Sequence, residues 1–104
     1  MSHKTVEDLV EAYRDKLTSM NYGLFIKKKC SYSSPHTVRL YANFKSKRVY
    51  WESLSLINPF KCIMNYIVVP TRDNTFHLKG DNRDLIIICE NSKEKEAFMR
   101  MFTL

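Results

Sequence analysis

Apolar and polar residues alternate most regularly between positions 22 and 53. Leu24 and Ile26 interleave with Phe25 and Lys27. Val38, Leu40, Ala42 and Phe44 interleave with Thr37, Arg39, Tyr41 and Asn43. A period of two sends one set of side chains to a core face and the other outward. Together with the aromatic and β-branched content, it predicts three antiparallel strands, joined by a polar loop at 31–35 and a turn at 45–47.

The period is different at the start of the chain. Val6, Leu9, Val10, Tyr13, Leu17 and Met20 recur at helical spacing and share one face, which predicts an amphipathic helix over 5–20. Thr5 is placed to cap it, with Asp8 as the capping-box partner. Asn21-Tyr22-Gly23 then breaks the helix. Beyond Ser53 the pattern loosens, with a turn signal at Asn58-Pro59 and an apolar stretch over 61–69 that bends near Asn65. Pro70 should end that strand, since proline cannot donate to a ladder. Segments 75–79 and 84–90 form a hairpin through Gly80-Asp81-Asn82. The run Leu85-Ile86-Ile87-Ile88-Cys89 does not alternate, which predicts a strand buried on both faces. A last helix opens at Asn91-Ser92, with Asn91 and Glu94 as a capping box and Ala97, Phe98, Met101 and Phe102 on its apolar side. The expected fold class is mainly-β α+β in a single domain of 104 residues. It divides into an N-terminal helix over 1–21, an antiparallel sheet over 22–91 and a C-terminal helix over 92–104.

Charge narrows the partners. Seventeen Lys and Arg against eleven Asp and Glu leave a net charge of +6, which favours anionic surfaces. The cations concentrate on the first hairpin, where Lys27, Lys28 and Lys29 lead into the loop and Arg39 follows it. Two glycines are too few for a glycine-rich phosphate loop. Cys30, Cys62 and Cys89 are an odd set without CxxC spacing, as expected of reduced thiols in a cytoplasmic protein. The polar opening residues give no secretory signal, and no apolar run approaches the length of a membrane span. His3, His36 and His77 are scattered, without a carboxylate or serine partner, so neither an enzyme nor a metal or cofactor site is expected.

The order of elements resembles a pleckstrin homology (PH) domain over about 22–104, with the leading helix as an addition. Leu24-Phe25-Ile26-Lys27, the basic loop and Val38-Arg39-Leu40-Tyr41 are similar to that family's first hairpin. The run from Arg48 through Trp51 to Ser53 is similar to its third strand, closest to the version in phospholipase C enzymes. The segments Leu85–Cys89 and Glu96–Phe102 are similar to its last strand and helix. The resemblance implies a strongly bent antiparallel sheet of about seven strands, closed at one end by the C-terminal helix. It places Phe98 where the family carries a tryptophan. It implies a headgroup site of lysines on the first strand and a basic–any–arginine triplet on the second. Lys27, Lys29 and Arg39 match that pattern, whereas Thr37 departs from it, and no basic residue lies between Trp51 and Pro59. The segment between Asn58 and Asn74 looks short by part of a strand.

Three readings follow. In the first, the chain is a non-enzymatic module that recruits its host, weakly and with little headgroup selectivity, to anionic phospholipid or phosphoinositide, and so lies at the periphery of a membrane or cytoskeletal structure. Its phosphate ligands are Lys27, Lys28, Lys29 and Arg39, helped by Ser31 and by Tyr32 at the loop tip. In the second it is a protein-interaction adaptor without a lipid site. Its partner then has an acidic surface, or meets the stripe of Val6, Leu9, Val10, Tyr13 and Leu17, as a monomer or weak homodimer. Nucleic acid ranks third, because the aromatics are explained by a core and no RNP motif is present.

Overall fold

The computed structural model describes residues 5–29, 34–52 and 60–103. Helix α1 is Val6–Thr18, and Thr5 caps it as its spacing to Asp8 predicts. The Asp8 N–H donates to Thr5 Oγ1 at 3.2 Å and the Thr5 N–H to Asp8 Oδ2 at 3.1 Å, which satisfies two donors that the helix itself cannot. Seven strands follow: β1 Leu24–Lys28, β2 His36–Asn43, β3 Arg48–Glu52, β4 Phe60–Met64, β5 Ile67–Pro70, β6 Thr75–Lys79 and β7 Asp84–Ile88. Helix α2, Ser92–Thr103, closes the order.

All strand pairs are antiparallel in one sheet of order β4-β3-β2-β1-β7-β6-β5. This sheet, with its C-terminal helix, has a PH-like topology. The two halves meet at a short joint, where only Lys27↔Ile88 and Lys28↔Ile87 pair, extended by the Lys29 N–H to the Ile86 carbonyl. The β6–β7 turn is tied to β4. Asn82 Nδ2 donates to the Cys62 carbonyl at 2.8 Å, its Oδ1 accepts from the Met64 N–H, and the Asp81 N–H donates to the Met64 carbonyl. Gly80 lets the turn come this close, since a Cβ there would lie 2.0 Å from Ile63 Cγ2.

The segment after Asn58 is not short of a strand, for it holds both β4 and β5. Asn65 separates them at φ 53, a left-handed value that asparagine tolerates better than most residues. Pro70 ends β5 on the sheet's outer edge, where its missing N–H costs no ladder bond. The expectation of a doubly buried β7 is not met. Leu85 and Ile87 are buried and Ile86 and Ile88 half-buried, so one face packs on the core and the other is less fully covered among the described residues. A run of isoleucines conceals an alternation that burial restores.

The core lies between the sheet's concave face and α2. Leu40, Val49, Ile63, Phe76, Leu78 and Ile87 are fully buried from the sheet, and Met101, Phe98 and Phe102 enter from α2. Asn91 Oδ1 accepts the Glu94 N–H at 2.9 Å, as expected for this cap, but the Glu94 carboxylate reaches the N–H of Glu90 rather than that of Asn91. Its other oxygen accepts the Tyr13 hydroxyl at 3.0 Å. Most of the apolar stripe of α1 is therefore spent on its own protein, whereas the helix ends at Thr18, and Met20, expected on that stripe, is exposed. Leu17 is buried, Val10 and Tyr13 pack against the core, and Tyr13 stacks on Phe98 with centroids 4.8 Å apart. Val6 and Leu9 are half-buried along the same helix.

Desolvation, and then the Glu94 carboxylate, push the Tyr13 hydroxyl from 10.0 up to about 12. A folded-state value above the unfolded one means that this contribution is complete below pH 10 and is lost as pH rises toward 12. Cys89, whose thiol burial pushes up to about 12, has the same sign. Tyr13→Phe should keep the ring stack and cost about 0.5–1.5 kcal/mol at neutral pH. It should also flatten part of the alkaline fall in stability, measured as urea midpoints of variant and parent across pH 8 to pH 12.

Candidate functional site

The register of the first three strands decides what the basic hairpin can do. On β1, Leu24 and Ile26 are buried while Phe25 and Lys27 are exposed. Lys28 falls on the inward parity with Leu24 and Ile26, beyond the point where the core ends. Its ammonium lies over the Trp51 ring, 5.2 Å from the centroid. Trp51 itself is buried on β3, as expected of a strand residue in the core. His36 opposes Lys28 across the β1–β2 ladder, and Lys61 opposes Trp51 across β3–β4. These groups line a cleft of about 480 Å³ together with Val38, Thr37, Phe25, Arg39 and Glu52. Lys28, Arg39 and Lys61 bring three cations to the cleft, with the His36 imidazole beside them and Glu52 as its carboxylate.

Arg39 is engaged by its own neighbours in the cleft. It opposes Phe25, and its guanidinium carbon sits 4.9 Å from the centre of that ring. The neighbouring Tyr41 hydroxyl, and then Glu52 by charge, hold its pKa above the ordinary value. Tyr41 in turn donates to Glu52 Oε1 at 3.3 Å. Arg39 Nε is buried without a hydrogen-bond partner. Its planar fork is thus stacked on a neighbouring ring, with Tyr41 and Glu52 close by. Gly23 makes room for this arrangement, at φ 66 and with a Cβ position 2.6 Å from Arg39 Cγ.

Of the lysines that the sequence singled out, only Lys28 lines the cleft. Lys27 and Lys29 are exposed beside it, with Lys27 on the same outer face as Phe25 and Arg39. Ser31 and Tyr32 lie outside the described residues. Lys61 and His36 were not singled out, although both line the cleft. The pairing of Trp51 with Lys61 supplies a cation from the fourth strand, beyond the segment 52–58 where the sequence lacks one. Among the described residues no cluster of His, Cys, Asp and Glu could hold a metal ion, and no helix is long and apolar enough to cross a membrane. Cys62 and Cys89 are unbridged. No known family model matches the chain, and no curated protein matches it.

Proposed function

We propose that the chain is a non-enzymatic binding module of the PH type, similar to that of phospholipase C enzymes, that rests on anionic phospholipid. The observation that carries this reading is the basic end of the first hairpin. Lys27 and Lys29 flank the cleft of Lys28, His36 and Lys61, and the adjacent Phe25 is 63% exposed. An aromatic ring beside lysines suits a headgroup layer, where the ring meets the acyl boundary and the ammonium groups meet phosphate. Because Arg39 already stacks on Phe25 beside Tyr41 and Glu52, this reading gives the lysines the larger share of the binding. Binding then depends on summed charge, which gives little discrimination among headgroups.

Co-sedimentation with phosphatidylserine vesicles tests this. Each lysine near an anionic leaflet is worth about 1 kcal/mol, so Lys27, Lys28 and Lys29 changed together to Ala should lower partitioning by about a hundredfold. Salt should do the same to the parent, as the Debye length falls from ~10 Å at 0.1 M to ~3 Å at 1 M. Adding phosphoinositide at matched vesicle charge should change binding little. A parent chain that stays in the supernatant with acidic vesicles at low salt would defeat the proposal.

A further inference from the structure

We propose that a second site, a groove between the C-terminal half of α1 and the outer face of β2–β4, takes a short amphipathic segment of a partner protein whose apolar anchors are flanked by acidic side chains. This does not depend on the lipid reading. The groove measures about 790 Å³, which is the size of a pocket for a few anchoring side chains. One lip is Met20, 81% exposed just beyond α1, and the other is Phe60, 55% exposed at the start of β4. Tyr50 and Phe44 lie between them. Met20 and Phe60 are both among the large hydrophobic residues left exposed.

The charges select the occupant. Arg14 and Lys45 are the charged groups among the described lining residues, and none of those residues is acidic. Arg14 is held in place with its guanidinium carbon 5.1 Å from the centre of the Phe44 ring. Glu52, which opposes Phe60 across the ladder, is occupied by the Tyr41 hydroxyl. A carboxylate entering the groove would therefore meet cations without a competing acid. A flat bilayer cannot follow a recess walled on one side by a helix, whereas a peptide can lay anchor side chains between the lips.

The test uses the full chain with isotope-labelled methionine methyls and two synthetic peptides. Both carry leucine and phenylalanine anchors, one flanked by glutamates and the other by lysines. The glutamate peptide should shift the Met20 methyl, leave the buried Met101 methyl unmoved, and bind about fivefold to tenfold more tightly than its lysine twin. Phe60→Ser, at an exposed position, should weaken the glutamate peptide about tenfold, and Lys45→Ala should narrow the gap between the two peptides. Equal affinity for both peptides, or no shift at Met20, overturns the proposal. So does a Met20 shift produced by phosphatidylserine vesicles or by raising the protein concentration alone, since these assign the groove to lipid or to a second copy.

Discussion

Phe98→Ala should cost about 3–5 kcal/mol, a large share of the roughly 5–15 kcal/mol that holds a domain of this size folded. Phe98 is buried at 2% exposure and sits at the centre of an aromatic cluster. Tyr13 stacks on it at 4.8 Å, Phe76 lies 6.1 Å away and Phe102 6.4 Å. Truncation removes ring area from the core and leaves a cavity that stiff neighbouring rings cannot fill by small rotations. The measurement is a urea midpoint at neutral pH, expected to fall with little change in slope. A near-neutral result would show that Phe102 and Met101 plug the sheet without it. Tyr13 of α1 adds its ring to this cluster.

Leu17→Ala is the second large effect, at about 2–5 kcal/mol. Leu17 is fully buried although it belongs to a helix outside the sheet, and it is the deepest anchor of α1 in the core. The consequence should extend beyond one cavity. Loosening Leu17 weakens the Tyr13–Glu94 hydrogen bond and the ion pair in which Arg100 Nη1 meets Glu7 Oε1 at 2.7 Å. That ion pair is exposed and contributes little alone, so packing carries the attachment. Thermal unfolding of the variant should remain a single transition at a lower midpoint. A separate early transition of helical signal would mean that α1 docks as an independent unit.

Much of this architecture is legible in the residues. Helix α1 is announced by its period and by Thr5 and Asp8, and those same contacts form. The first three strands follow from alternation, because Leu24, Ile26, Val38, Leu40 and Ala42 are all buried. Asn65 and Pro70 mark real boundaries, since each restricts the backbone directly. The β7 strand misleads because hydrophobicity reports what a residue can bury and not whether a second layer is present to cover it. The candidate site is less legible for a related reason. Parity alone places Lys28 inward, but its meeting with Trp51, His36 and Lys61 depends on cross-strand register, set by pairings between distant segments. Likewise the stacking of the Arg39 guanidinium on Phe25 depends on the β1–β2 register.

The way the sheet is shut has a dynamic consequence. A seam of backbone pairing opens only when several peptide bonds part together, whereas the contact at β4 rests on the Asn82 side chain, the Asp81 N–H to the Met64 carbonyl and Asn65 Nδ2 to Asp81 Oδ2. Opening this contact means parting those few bonds and no strand-to-strand ladder, so a local opening here is expected to cost less than global unfolding.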